Sequence, residues 1–128
     1  MEYEFSFEKL EVWKCSVDLS KTIYQLTTNF PENEKYGLVS QLRRASVSIA
    51  SNLAEGTSRQ TNKDKAHFTT LAFSSLMEVL NQVIISKELN FISEENYVKV
   101  RVEIGKISRM LNALRKAQIN HSTIKPLN

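Results

Sequence analysis

Few residues in this sequence combine the types and spacings that chemistry needs. The nearest approach to a metal motif is Asp64-x-x-His67, present once. A di-iron bundle needs a Glu-x-x-His from each of two helices and further carboxylates, so one copy at a helix start does not suffice. His67 therefore reads as a surface or interface histidine, and His121 as part of a C-terminal tail. Cys15 has no activating base near it in sequence and reads as a small helical side chain. No glycine-rich phosphate loop, nucleophile elbow or His-Glu-x-x-His is present. The expectation is a protein that is not an enzyme and takes neither cofactor nor metal.

Charged groups are more informative. Glu78 is the only charged residue between Phe68 and Ser86, and a carboxylate in so apolar a segment needs a cation or donors. Arg43, Arg44 and Arg59 are the available cations. A helical wheel puts Arg44, Ser48, Ser51 and Glu55 on one polar face, with Arg43 nearer the core edge. Glu78 is thus expected to meet an arginine or a helix end, within the subunit or across an interface. Residues 1–34 hold seven acids against three lysines, yet the whole chain carries 17 Lys+Arg against 14 Asp+Glu, a net charge of +3. An acidic first part precedes a basic body. Arg43, Arg44, Arg59, Lys63 and Lys65, with Lys99, Lys106, Arg109 and Lys116 further on, are the candidate contacts to a polyanion. Arginine's planar fork matches phosphate, so such a set grips a nucleic-acid backbone without reading bases. Phe68, Phe73, Tyr24 and Trp13 fall on expected core rows, so base stacking is not indicated.

The elements that must position these groups are helices. At 128 residues, 14.7 kDa and 41% hydrophobic content the chain fits one domain, 1–128. With 3 Gly and 2 Pro it lacks the turn residues of an all-β fold. A single cysteine makes no internal disulfide, and the acidic N-terminus has no apolar run, so a reducing, cytoplasmic setting without a signal peptide is expected. Apolar spacing predicts helices over about 8–29, 35–55, 62–90 and 94–118, with a tail at 119–128. In the first, Leu10, Trp13, Val17 and Tyr24 make one row and Val12, Leu19, Ile23, Leu26 and Phe30 another, until Pro31 stops it. Gly56 is the expected left-handed end of the second helix, and Thr61 or Asn62 the cap of the third. Ser93 caps the fourth, whose seam is Tyr97, Val100, Ile104, Ile107, Leu111 and Leu114. Short connections imply an all-α, antiparallel up-down-up-down bundle.

The third helix exceeds what a bundle requires. Phe68, Ala72, Ser75, Val79 and Val83 would face the core, while Phe73, Met77, Leu80, Ile84 and Ile85 carry the apolar surface further round. One bundle face needs an arc of about 100°. A membrane span is disfavoured by Glu78, Asn81 and Gln82, so those five residues are assigned to self-association.

The strings Phe7-Glu8-Lys9-Leu10-Glu11-Val12-Trp13, Phe30-Pro31, Tyr36-Gly37-Leu38, Gln41 to Ile49, Asn52-Leu53-Ala54-Glu55-Gly56, Arg59 and Ser74-Ser75-Leu76 with Glu78 resemble one bacterial family. It is the four-helix bundle family named for proteins encoded in intervening sequences of 23S ribosomal RNA genes. The resemblance covers roughly Phe5 to Ala117. It implies a non-enzymatic bundle assembling as a ring-like homopentamer, with relatives that serve diversity-generating retroelements by binding reverse transcriptase and nucleic acid. Its recurrent positions fall on Arg43, Arg44, Asn52, Glu55, Gly56, Arg59 and Glu78, as ligand contacts or as structural and interface residues. The expected function is a nucleic-acid-binding accessory protein for RNA or DNA backbone. The alternative is a scaffold that recruits a protein partner and has no direct nucleic-acid role.

Overall fold

The computed structural model describes residues 2–123, with side chains described to residue 120. The described residues form a four-helix bundle. A 3-10 turn, Ser6–Lys9, precedes α1 at Glu11–Thr27. Then come a 3-10 turn at Glu32–Glu34, a π-helical segment at Lys35–Val39, and α2 at Ser40–Thr57. α3 spans Asn62–Glu88 and α4 Glu94–Thr123.

Several boundaries differ from the sequence expectation for local reasons. Glu8 does not start α1: its carboxylate folds back to accept the Phe5 N–H at 2.8 Å, and Leu10 is extended at φ −73°, ψ 123°. Gly56 does not end α2. It lies buried inside the helix, and no described glycine has a positive φ. A Cβ there would stand 2.8 Å from the Cβ of Phe68, so the glycine is needed for the close approach of α2 and α3. α4 continues past 118 into the segment expected to be a tail, for no Gly or Pro interrupts residues 106–125. The remainder of that tail, and the side chain of His121, lie outside the described residues.

Other signals hold as expected. Thr61 accepts the Asp64 N–H at 3.1 Å to cap α3, and Ser93 accepts the Asn96 N–H at 3.1 Å to cap α4. α3 ends in a Schellman motif. Asn90 takes the left-handed conformation at φ 63°, Phe91 N–H donates to Ser86 C=O and Asn90 N–H to Lys87 C=O.

Each helix packs against its neighbours in sequence, and α1 against α4, which closes the bundle around one core. Side-chain pairs fix the registers. Gln41 meets Gln82, Arg44 meets Glu78 and Ser48 meets Ser75 between α2 and α3. Thr69 meets Gln118, Thr70 meets Arg115 and Lys87 meets Glu94 between α3 and α4. Thr22 meets Glu103 between α1 and α4.

The core holds Val12, Leu19 and Ile23 from α1, Leu42, Ile49 and Leu53 from α2, and Val100, Ile104, Ile107 and Leu111 from α4. On α1 the second expected row is the buried one, joined by Ser16 and Thr27. Their hydroxyls donate to the carbonyls of Val12 and Ile23, each at 2.7 Å, so both donors are satisfied on their own helix. Tyr24, expected on a core row, is exposed. Phe68 is only half-buried, and Ala66, Thr69 and Leu76 take up the α3 core with Ala72, Val79 and Val83. The apolar surplus of α3 is smaller than its sequence suggests: Phe73, Met77 and Leu80 pack against this chain's own core. Ile84 and Ile85 are exposed, as are Leu71 and Leu89. By length and composition α3 could cross a membrane. Its buried row includes Thr69, Ser75, Gln82 and Ser86, polar groups suited to a protein interior rather than lipid.

Candidate nucleic-acid interface

The bundle sorts the candidate cations into those bound to their neighbours and those left on one face. Arg43 is bound. Its Nε donates to Thr27 Oγ1 at 2.9 Å and its Nη2 to the Tyr24 carbonyl at 3.3 Å, with the guanidinium 4.5 Å from the Tyr24 ring centre. It fastens the start of α2 to the end of α1. Arg44 donates to Glu78 Oε2 at 2.8 Å, the arginine partner expected for that carboxylate. Ser48 and Ser75 share a hydrogen bond at 2.9 Å beside this pair, and Asn52 Nδ2 donates to the Ser48 carbonyl. Arg59 stacks on Phe68, 4.5 Å from the ring centre. These residues form a polar ladder along the α2–α3 seam. Glu55 is exposed and makes no ion pair among the described residues.

Helix α4 presents the other group. Opposite its buried row stand Val98, Val102, Gly105, Arg109 and Lys116, in a sector about 60° wide at ~100° per residue. Arg101 and Lys106 flank that sector. From Asn96 to Asn120 the helix carries Lys99, Arg101, Lys106, Arg109, Arg115 and Lys116 against Glu103 alone. Lys99 pairs with Glu95 at 3.2 Å, both exposed. Arg101 Nη1 donates to Tyr97 Oη and Arg115 Nε to Thr70 Oγ1, each at 2.7 Å. Both acceptors are neutral hydroxyls, so the two positive charges stay uncompensated. Lys106, Arg109 and Lys116 make no ion pair among the described residues.

Glu103 makes no ion pair with these cations, although it shares grooves with Lys99 and Lys106. It is half-buried and turned toward α1, where Thr22 Oγ1 donates to it at 2.9 Å. Burial pushes its carboxyl above the ordinary value of 4.5, the Thr22 hydrogen bond opposes that, and the nearby Asp18 charge adds to it.

Residue by residue, then, Lys99, Lys106, Arg109 and Lys116 lie together along α4, while Arg43, Arg44 and Arg59 belong to the α1–α2–α3 side. Lys63 and Lys65 lie in the first turn of α3. Lys65 lines a hollow of about 290 Å³ at that end of the bundle with Asn52, Gly56, Thr69 and Gln118. Sequence reasoning passed over Arg101 and Arg115. They flank the apolar seam rather than oppose it, but a full angular count of charge on the fourth helix would have found them.

The unpaired chemistry elsewhere is sparse. Cys15 is half-buried in a groove between α1 and α4 with Asp18, Thr22 and Lys106. His67 is exposed, its ring edge-on to Phe68 at 5.7 Å. No cluster of three or more His, Cys, Asp or Glu suited to a metal occurs among the described residues.

Residues 8–113 match the family model of the 23S rRNA-intervening sequence protein. Among solved structures, the chain is similar to a protein of unknown function from the S23 ribosomal protein family of Bacteroides thetaiotaomicron VPI-5482. That likeness has a TM-score of 0.74 at 20% identity, over 82% of this chain and 98% of the other, and establishes the shared fold. No curated protein matches the sequence. The chain belongs to the 23S rRNA-intervening sequence protein family.

Proposed function

We propose that this member of the 23S rRNA-intervening sequence protein family is a non-enzymatic accessory protein that holds the backbone of RNA or DNA along α4. One observation carries the reading: from Asn96 to Asn120, beyond the Glu94 and Glu95 of its first turn, α4 bears six cations against a single, half-buried carboxylate that is hydrogen-bonded to α1. Lys99 to Lys116 extends about 25 Å at 1.5 Å per residue, enough to follow several phosphates. Such contacts supply affinity and register without sequence information. The helix pairings, Gln41 with Gln82, Thr69 with Gln118 and Thr22 with Glu103, favour the antiparallel up-down-up-down arrangement within one domain. The exposed Ile84, Ile85 and Leu89 of α3 favour self-association, in which every added copy adds its own charge of +3. A ring-like pentamer, with a reverse transcriptase as a protein partner, completes the proposal.

Filter retention of unstructured RNA and DNA of several compositions tests it. Retention should weaken steeply with salt, vary little with composition, and fall on Lys106→Glu/Arg109→Glu. A purely protein-recruiting scaffold, which the exposed Tyr3 and Phe5 rings favour, would retain neither polymer at physiological salt.

A further inference from the structure

Among the uncovered apolar surfaces of this chain, two carry opposite charge. The first is the arm ahead of α1. Tyr3 is 79% exposed and Phe5 58%, though their rings belong to a connected series. Tyr3 stands edge-on to Phe5 at 4.9 Å, Phe5 stacks on Phe7 at 6.4 Å, and Phe7 meets Trp13 edge-on at 5.1 Å. The arm is thus rooted on α1 yet offers two aromatic rings to solvent, interleaved with Glu2 and Glu4. Rings so exposed are unusual unless something covers them.

The second surface is the lower half of α4. Val98 and Val102 are 52% and 67% exposed beside a shallow, open hollow of about 440 Å³ formed by α4 alone, which also takes in Gly105, with Arg101 and Arg109 at its edge. Gly105 sits in the middle of a long helix, where glycine is weakening relative to alanine. Among the described residues, a Cβ there would meet only the Arg109 side chain, at 3.6 Å. The glycine keeps the hollow open on its solvent side. On α3, the exposed Ile84 lies across from this stretch by the register that Lys87–Glu94 and Thr70–Arg115 set.

The arm cannot occupy the hollow of its own chain. Phe7 and the 3-10 turn hold it against α1 and α2, while the hollow faces away from the core on α4. We infer that residues 2–5 of one copy dock in the α4 hollow of a second copy. The Phe5 ring lies over Gly105 against Val102, and the arm's carboxylates meet Arg101. Aromatic bulk, valine walls and paired opposite charges supply the fit. Each copy uses its arm on one side and its hollow on the other, so the contact is head-to-tail and repeats until a ring closes. The arm takes up Arg101 alone; Lys106 and Lys116 outside the hollow and Arg109 at its rim stay open to a polyanion. This inference rests on the self-association put forward above.

Light scattering on the full chain at micromolar concentration tests it with Tyr3→Ser/Phe5→Ser and Gly105→Leu. The wild type should be multimeric and both variants single copies that still unfold in one cooperative transition. In a Cys15→Ser background, mixing Phe5→Cys with Val102→Cys under oxidation should give a covalent dimer containing one of each. If the wild type is multimeric but both variants keep its size and no mixed dimer forms, the arm contact is wrong and self-association stands. A wild type that stays a single copy at every concentration overturns both.

Discussion

At single positions, burial decides what each charged group contributes. Arg44 and Glu78 form a short ion pair, but their side chains are 63% and 39% exposed, so solvent screens it. A double-mutant cycle with Arg44→Ala and Glu78→Gln should return a coupling below about 1 kcal/mol in urea unfolding. Arg43 differs because it joins two helices through Thr27, the Tyr24 carbonyl and the Tyr24 ring at once. Arg43→Ala should lower stability by about 1–2 kcal/mol, and Arg43→Lys should restore only part of that. Glu103 behaves in the opposite sense to a stabilising carboxylate. Its folded value lies above 4.5, so the folded chain binds the proton more tightly than the unfolded one. Its contribution therefore becomes less favourable as pH rises from 4.5 through the raised folded value. Glu103→Gln, whose amide oxygen still accepts from Thr22, should melt above wild type at pH 7, with the difference shrinking toward pH 4. A constant difference across that range would contradict the desolvation of this group. The arginine partner of Glu78 was legible from the sequence because an isolated carboxylate in an apolar stretch demands one. The attachment of Arg43 to Tyr24 was not, since it depends on where the chain re-enters after Pro31.

At the level of helices, caps and spacing account for most of what was legible. Ser93, Thr61 and the Tyr97-to-Leu114 seam announce α3 and α4, and the structure uses each as expected. Two features escaped because tertiary contact, not local chemistry, controls them. Ser16 and Thr27 look polar, yet their hydroxyls donate within their own helix, Thr27 accepts from Arg43, and both join the core. Gly56 has the look of a helix terminator, yet its function is to admit Phe68. Gly56→Ala sets about 1 kcal/mol of helix preference against a contact that neither Cβ can avoid. The contact should win, with a net loss of about 1–3 kcal/mol measurable by urea unfolding. A stabilised Gly56→Ala protein would mean that α2 and α3 are free to separate there. The same tertiary effect packs Phe73, Met77 and Leu80, each half-buried, against the chain's own core and leaves α3 a narrower exposed strip than its composition suggests.

Across the whole molecule, closure of four helices around one core fixes which charges share a surface. The sequence showed an acidic beginning and a basic remainder, but only the bundle separates Arg43, Arg44 and Arg59 from the α4 row. It also holds Glu103 on Thr22 of α1, so that Lys106, Arg109 and Lys116 make no ion pair among the described residues, while Lys99 pairs with Glu95. The nucleic-acid reading depends on the outer face of α4 and on little else. It is tested most directly by the salt dependence of single-stranded RNA binding, for wild type and for Lys106→Gln/Arg109→Gln/Lys116→Gln. A plot of log K against log salt has a slope near −0.7 for every phosphate neutralised on a single strand. The wild type should show a steep slope, and the triple variant a slope shallower by about 2 with an unchanged melting temperature. Equal slopes for the two proteins, or no binding by the wild type even at low salt, would contradict the assignment of α4 as the nucleic-acid face.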